Sequence, residues 1–226
     1  RRLGDVYKRL AVSMISSGID STVSSFEMLK RGVELTYVHF HSTPATSRQS
    51  IQNVGEILTV LAGYQIQCRV YMVPLLEIQQ KIMADAPNKL WVILFRRAMI
   101  KLASIIAEQL DIPALISGES VGQVASQTLS NIRATADAAD RPILRPLAGL
   151  NKEDIIRIAE KIGTYEISIE PYDDCCSFFV PIHPETKADL ETVRKIEGNI
   201  DFGDMFDVAL NDAAIKTIEH PDYIKK

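Results

Sequence analysis

The chain has few cysteines, no long apolar run and no excess of basic charge. Its 226 residues include three cysteines, Cys68, Cys175 and Cys176, and an odd number cannot all pair within one chain. Adjacent cysteines rarely bridge each other, so the sequence predicts a reducing compartment and a cytoplasmic protein. No stretch reaches the roughly 18 apolar residues that a membrane-spanning helix needs, so no membrane association is expected.

Several common ligand-binding patterns are also missing. The sequence contains neither G-x-x-x-x-G-K-[ST] nor G-x-G-x-x-G, which excludes a Walker loop and gives no support to a dinucleotide fold. Cys175 and Cys176 lack the C-x₂-C spacing of zinc sites, so no metal site is predicted. The net charge of −4 is unlike that of a dedicated nucleic-acid-binding module, so any action on RNA needs a local basic patch or another domain.

What the chain does contain is an alternation of apolar strands with amphipathic helices. Apolar residues make up 46% of the sequence, enough for a sizeable core. The predicted strands are 10–15, 34–40, 66–73 and 113–117, with helices between them. This order predicts an α/β fold, a doubly wound parallel sheet with helices on both faces. We assign residues 1–185 to this domain and residues 186–226 to a C-terminal helical extension of it, because 187–226 has the pattern of two polar helical segments.

The loop after the first strand is the first candidate site. Ligands of open parallel sheets bind at the carboxyl ends of strands, and this loop, 16–21, reads Ser-Ser-Gly-Ile-Asp-Ser before a helix. Small side chains let the backbone approach a ligand, and the free N–H groups at the start of a helix favour a phosphate. An ordinary serine-rich turn with a helix N-cap is the competing interpretation.

The same loop resembles the SGGxDS pyrophosphate loop of ATP pyrophosphatases, the PP-loop enzymes of the adenine nucleotide alpha hydrolase-like fold. Further strings are similar to the tRNA 4-thiouridine sulfurtransferase family, which also serves thiamine biosynthesis. These strings are His39-Phe40-His41-Ser42-x-Pro44-x-Thr46-Ser47, the stretch from Gly118-Glu119-Ser120 to Gln127-Thr128, Leu144-Arg145-Pro146-Leu147, Asn151-Lys152-Glu153 and Pro171-Tyr172-Asp173-Asp174-Cys175-Cys176. The resemblance runs from about Leu10 to the C-terminus, and the Gly118–Thr128 string is its most specific part.

The resemblance implies roles for individual residues, carried over by matching position. Asp20 and Lys152 match essential acidic and basic residues, and Cys175 matches the catalytic cysteine, with Cys176 as a resolving partner. ATP and Mg²⁺ are the implied cofactors, and Asp20 is expected to help hold the Mg²⁺. The implied nucleotide-binding residues are Met14, Ile15, Ser16, Ser17, Gly18, Ser21, His39, Phe40, Arg96, Gly118 and Gln127.

The resemblance also implies the reaction and the partners. ATP adenylylates the O4 oxygen of a tRNA uridine, and persulfide sulfur on a cysteine displaces AMP to give 4-thiouridine. Some members of the family supply sulfur for the thiamine thiazole as well. A cysteine desulfurase or other persulfide donor is the expected partner, and a homodimer is left open. The tRNA is expected to bind mainly through N-terminal ferredoxin-like and THUMP domains, which this chain does not contain.

Two residues depart from the family's loop. Ser17 stands where glycine is usual and Thr22 where proline is usual. A positive φ at Ser17 would cost about 1 kcal/mol or more and narrow the phosphate space. Two other hypotheses therefore stay open: a different adenylylating ATP pyrophosphatase that acts on a small acid, and a diverged nucleotide-binding or sulfur-carrier module without catalysis.

The remaining candidates have simpler interpretations. Cys68 lies within a strand and is expected in the core. One of Arg96 and Arg97 is expected to be structural and paired to a carboxylate. His39 is expected to contribute its backbone rather than its imidazole.

Overall fold

A computed structural model describes residues 9–171, 179, 181 and 183–221 of the chain. Its centre is a six-stranded sheet in the order β5-β4-β1-β2-β3-β6. The strands are β1 (Leu10–Met14), β2 (Glu34–His41), β3 (Gln67–Pro74), β4 (Leu115–Ile116), β5 (Ile143–Leu144) and β6 (Ala214–Glu219). All neighbouring strands are parallel except β3 and β6, which are antiparallel.

Helices follow most of the strands, as the alternating pattern predicts. They are α1 (Ile19–Lys30), α2 (Gln49–Gln65), α3 (Leu76–Asp85), α4 (Trp91–Gln109), α5 (Leu129–Ala136), α6 (Lys152–Ile162), α7 (Tyr165–Ser168), α8 (Leu190–Gly198) and α9 (Met205–Asn211). Short 3₁₀ turns precede α4 and α5, at Asn88–Leu90 and Ala125–Gln127. Within the residues described, no helix is both long and apolar enough to cross a membrane.

The sheet separates two apolar cores because side chains along a strand alternate between its faces. In β2, Leu35 and Tyr37 pack with α1 and α2, whereas Val38 and Phe40 pack with the cluster that includes α3 and α4. Cys68 of β3 is fully buried in the first of these cores, as expected for a structural cysteine. The doubly wound α/β architecture predicted from the sequence is therefore confirmed.

Local signals set the bounds of α6 as the sequence predicts. The Asn151 side chain caps the helix by accepting a hydrogen bond from the Asp154 backbone N–H at 2.9 Å. Gly163 ends it in the left-handed conformation with φ of 79°, which a residue with a Cβ adopts only with strain. This cap places Lys152 in the first turn of α6, where it faces the loop after β1.

The prediction of a purely helical extension over 186–226 is wrong in its last part. Helices α8 and α9 are present, but residues 214–219 form β6 against the outer edge of β3, with Ala214 opposite Met72. The segment contains the β-branched residues Ile215, Thr217 and Ile218, which favour strands. The edge of β3 also offers unpaired N–H and C=O groups, a long-range partner that local periodicity does not reveal.

Candidate functional site

A crevice opens at the carboxyl end of the sheet, between β1 and β4. From β1 the chain proceeds to β2 and β3 on one side, whereas β4 and β5 lie on the other side of β1. The chain therefore continues from β1 and from β4 towards opposite sides of the sheet. Such a switch point is where open α/β sheets bind their ligands.

This crevice forms a cavity of about 240 Å³. Its lining residues are Met14, Ile15, Ser16, Asp20, Ser21, Phe40, Arg96, Met99, Ile100, Ser117, Gly118, Glu119 and Gln127. Most of the residues predicted for nucleotide binding are thus brought together, although they come from β1, β2, α1, α4 and the loops beyond β4. Of the predicted set, Ser17, Gly18 and His39 do not line the cavity.

The loop after β1 is shaped by its own serine hydroxyls. The Ser16 backbone N–H donates to Ser21 Oγ at 3.0 Å, and the Gly18 N–H donates to Ser16 Oγ at 3.3 Å. Gly18 is the N-cap of α1, and no side chain caps that helix end. The first-turn N–H groups and the positive end of the helix dipole are therefore available to an anion at the cavity.

Gly118 lets the loop after β4 approach the loop after β1. A Cβ atom at this position would lie 2.6 Å from the Ser21 backbone nitrogen and 2.7 Å from Ser21 Cα. These distances are far below van der Waals contact and involve backbone, which cannot rotate away. Glycine is therefore required here by close packing rather than by a positive φ.

The strain expected at Ser17 is absent. Among the residues described, the positive φ values outside glycine belong to Ile66 and Asp111, so Ser17 has an ordinary backbone conformation. Its side chain is fully buried and does not narrow the cavity. At the second departure, Thr22 Oγ1 donates to the Gly18 carbonyl at 3.1 Å, which stabilises the first turn of α1. Thr22 is thus accommodated by a hydrogen bond, whereas the buried Ser17 Oγ has no hydrogen-bond partner among the residues described.

Asp20, which lines the cavity, forms an ion pair with Lys152, which does not line it. Lys152 Nζ lies 2.8 Å from Asp20 Oδ1, although the residues are 132 positions apart in sequence. Their side chains are 45% and 27% exposed, so the pair is open to exchange with an incoming anion. The two residues predicted to be essential are therefore neighbours, and an ammonium group stands beside the uncapped start of α1.

A buried carboxylate in the cavity lining, Glu119, holds two arginines. Glu119 is 3% exposed; Arg96 Nη2 lies 3.1 Å from its Oε1, and Arg145 Nε donates to its Oε2 at 2.6 Å. Arg96 also donates to Ser126 Oγ at 2.8 Å. Charge-assisted bonds from two sides fix the Arg96 guanidinium at the cavity wall.

Sequence reasoning assigned no role to Glu119 or Arg145. A signal was present, because Glu119 follows the buried strand β4 by three residues, Arg145 directly follows β5, and the carboxyl ends of adjacent parallel strands meet at one edge. Arg97, in contrast, is 3% exposed and pairs with Asp137 and Glu197, so it is the structural member of the arginine pair.

His39 is a structural residue beneath the loop rather than a proton carrier. Its Nδ1–H donates to the Ile15 carbonyl at 3.0 Å, and the ring is fully buried. Burial lowers the pKa of His39 to about 4, which outweighs the opposing effect of the hydrogen bond to Ile15. The neutral ring therefore ties the end of β2 to the end of β1.

Gln127 retains hydrogen-bonding capacity towards a ligand. It is 7% exposed and lines the cavity, and in the described part of the chain its buried Oε1 has no hydrogen-bond partner. The same described part contains no cluster of three or more acidic, histidine or cysteine side chains that could hold a metal ion. Cys175 and Cys176 lie outside the residues that the structure describes.

The sequence comparisons agree on one family. The model for the family described as "Thiamine biosynthesis protein (ThiI)" matches residues 7–202. A protein of Moorella thermoacetica described as "Probable tRNA sulfurtransferase" is 43% identical over 206 residues, which cover 91% of this chain and 53% of that protein. A protein of the same description from Caldanaerobacter subterraneus is 46% identical over 197 residues, 87% of this chain and 52% of that one.

A solved structure extends the likeness to three dimensions. The crystal structure of a 4-thiouridine synthetase–RNA complex with bound ATP matches with a TM-score of 0.89 and 38% identity, over 93% of this chain and 55% of that chain. The chain thus spans about half the length of the relatives it matches.

Proposed function

Because the chain belongs to the thiamine biosynthesis protein (ThiI) family, we propose that its cavity binds ATP to activate a tRNA uridine for sulfur transfer. One observation carries the proposal. The uncapped start of α1, the Asp20–Lys152 pair and the fixed Arg96 guanidinium converge on one cavity at the switch point of the sheet. A likeness to a 4-thiouridine synthetase with bound ATP and RNA supports it.

The cavity offers different chemistry to the two ends of ATP. The β- and γ-phosphates fit the loop 16–21, where backbone N–H groups and the dipole of α1 attract negative charge. The nucleoside fits the apolar side of the cavity, formed by Met14, Phe40 and Ile100. Gln127 Oε1 is an unused acceptor there for an amino or hydroxyl group.

Adenylylation requires stabilisation of charge that moves onto the leaving pyrophosphate. The uridine O4 oxygen attacks the α-phosphorus, the bond between that phosphorus and the oxygen bridging to the β-phosphate breaks, and the uridine loses its N3 proton. Arg96, which lines the cavity, and Lys152, which Asp20 holds beside it, are cations that stabilise this transition state more than the ground state. Asp20 orients Lys152 until the phosphates arrive.

Asp20 is also the residue that would hold Mg²⁺. This ion is usually bound by one or two carboxylates together with substrate phosphates, so a single carboxylate at the cavity suffices without an all-protein cage. When bound, Mg²⁺ neutralises phosphate charge. Glu119 is unsuited to this role because both of its oxygens are occupied by arginines.

The second half of the reaction, the transfer of sulfur, is assigned to Cys175 and Cys176. We assign Cys175 as the carrier of persulfide sulfur, whose outer sulfur attacks C4 of the activated uridine and displaces AMP. The Cys176 thiolate, as the resolving partner, then attacks the Cys175 sulfur, so that the S–S bond to the nucleotide breaks and 4-thiouridine leaves. An external thiol reductant returns the resulting disulfide to two thiols. A cysteine desulfurase or a comparable persulfide donor loads Cys175. Cys68 has no part in this step, because it is fully buried and burial raises its pKa to about 12, which suppresses the reactive thiolate.

The test measures the two half-reactions separately in the full-length protein that contains this chain. Lys152→Ala is expected to lower tRNA-dependent exchange of pyrophosphate into ATP by about 100-fold or more, because it removes a cation from the transition state. Lys161→Ala, which changes an exposed lysine at the far end of α6, should leave exchange unchanged. Equal activity of Lys152→Ala and wild type would contradict the assigned role.

The cysteine variants then divide activation from sulfur transfer. Cys175→Ser should retain pyrophosphate exchange but form no 4-thiouridine from a persulfide donor. Cys68→Ser should retain pyrophosphate exchange and also form 4-thiouridine. Exchange that proceeds with a small acid and without tRNA would favour a different adenylylating enzyme. No exchange with any acceptor, despite ATP binding, would favour a non-catalytic module.

A further inference from the structure

A buried amide behind the cavity links the nucleotide site to the C-terminal part of the chain. Asn131, the third residue of α5, is fully buried. Its Nδ2 donates to the Ala125 carbonyl at 2.8 Å and to the Glu185 carbonyl at 2.7 Å, and its Oδ1 accepts from the Ala188 N–H at 2.9 Å. One side chain thus joins two segments that are 60 residues apart in sequence.

The first segment held by Asn131 is the 3₁₀ turn Ala125–Gln127, which supports the cavity wall. Gln127 lines the cavity itself, and Ser126 accepts the hydrogen bond that helps fix Arg96. A bond to the carbonyl of Ala125 therefore anchors the turn at its first residue. Loss of this bond would free two groups that face a ligand.

The second segment, residues 185–188, touches no ligand position but is firmly held. Thr128, the N-cap of α5, donates to the Thr186 carbonyl at 2.7 Å, and the Glu185 N–H donates to the Lys89 carbonyl at 2.9 Å. None of these four residues lines the cavity. The segment therefore serves as a fixed support on which Asn131 rests.

We propose that Asn131 is a positioning residue that couples nucleotide binding in the cavity to the segment 185–188. This inference rests on the proposed ATP site and concerns residues that make no contact with the cavity. A ligand that orders Gln127 and Arg96 also orders the turn, and through the Asn131 amide it restrains the second segment. By thermodynamic linkage, loosening the segment lowers the affinity for the ligand by the same factor by which the ligand stabilises the segment.

The test combines ATP calorimetry with amide hydrogen exchange on wild type and Asn131→Asp. The aspartate keeps the size of the side chain and the oxygen that accepts from the Ala188 N–H. In place of the Nδ2 donor, however, it puts an oxygen that cannot donate to the Ala125 and Glu185 carbonyls. We expect ATP to bind about tenfold or more weakly, since two buried hydrogen bonds are lost. In wild type, ATP should slow exchange of the Ala188 N–H; in the variant this slowing should disappear.

Asn53→Asp is the matched control, because Asn53 is equally buried but lies in α2, on the other face of the sheet. It should lower stability and leave the ATP affinity of the folded protein within about twofold. Unchanged ATP affinity in Asn131→Asp, or no effect of ATP on the Ala188 amide of wild type, overturns the inference while the ATP site stands. If Asn131→Asp does not fold, the wild-type exchange measurement alone decides. Absence of ATP binding by wild type removes both proposals.

Discussion

At the scale of single residues, Gly118 sets how closely the two loops of the site approach each other. A methyl group there would meet the backbone of Ser21 at 2.6–2.7 Å, so the loop after β1 or the loop after β4 must move. Because hydrogen bonds between Ser16 and Ser21 shape the loop after β1, such a shift reaches the loop that we propose binds the phosphates.

We therefore expect Gly118→Ala to lower the free energy of unfolding by about 1–3 kcal/mol, through overpacking, and to weaken ATP binding. Denaturant unfolding and calorimetry measure the two effects. Gly149→Ala is the control, since a Cβ at Gly149 meets no atom within 4 Å. A Gly118→Ala protein with wild-type stability and ATP affinity would show that the close contact has no consequence.

The sequence predicts which residues belong to the site where they are part of a recognised motif. It does not predict which charged side chains pair with each other. Ser16, Asp20, Ser21 and Gln127 were predicted, and they line one cavity. The contacts of Glu119 with Arg96 and Arg145 join residues 23 and 26 positions apart, and their choice depends on how β4, β5 and α4 pack. Charge alone does not reveal which of many arginines a buried carboxylate will meet.

At the scale of elements, a charge network docks α8 onto α4 and α5. Arg97 of α4 pairs with Glu197 of α8 at 2.7 Å and with Asp137 at the end of α5 at 3.2 Å. Hydrogen bonds from Arg194 and Arg97 lower the pKa of Asp137. Burial would raise the pKa of Glu197, but bonds from Arg97 and Lys101 outweigh it and the pKa is lowered.

These shifts set the pH dependence of stability. A carboxyl whose pKa is lowered by folding stabilises the native state. This contribution is fully present at a pH above the group's ordinary pKa, which is 4.5 for Glu197 and 3.8 for Asp137, and it is lost as the pH falls through the lowered pKa of the folded protein. Arg97→Met should lower the free energy of unfolding at pH 7 by roughly 3 kcal/mol, because it leaves a buried network without its central cation.

The variant should also lose less stability than wild type when the pH falls from 6 to 3, since its carboxyls have less favourable interaction to lose. Urea unfolding across this range tests both statements. Arg157→Met removes an exposed pair with Asp154 and should stay within about 0.5 kcal/mol of wild type at every pH. Parallel pH profiles for Arg97→Met and wild type would exclude the network as the source of acid sensitivity.

Elements with strong local signals were predicted well, and those that depend on distant partners were not. Helix α6 has its Asn151 cap and its Gly163 stop in the sequence itself. Strands β5 and β6 are short or exposed and gain their hydrogen bonds from β4 and β3, which are far away in the chain. The extension was therefore predicted as helical although its last element completes the sheet.

At the scale of the whole molecule, the order of the strands produces the site. Because β1 lies between β2 and β4, the loops that follow β1 and β4 meet at one edge of the sheet, and both line the cavity. Helix α6 brings Lys152 to Asp20, and α4 brings Arg96 to the cavity lining beside Glu119. The proposed ATP site therefore rests on the strand topology together with two cations, and neither the loop motif nor the composition alone reveals this arrangement.

The most direct test of this account is calorimetric titration of ATP into the wild-type protein and into Arg96→Gln. We predict a single saturable site in wild type and a dissociation constant about tenfold or more higher in Arg96→Gln, because a charge-assisted contact is lost. Arg31→Gln, at the opposite end of α1, should bind as wild type does. No binding by wild type, or equal binding by Arg96→Gln, would contradict the account.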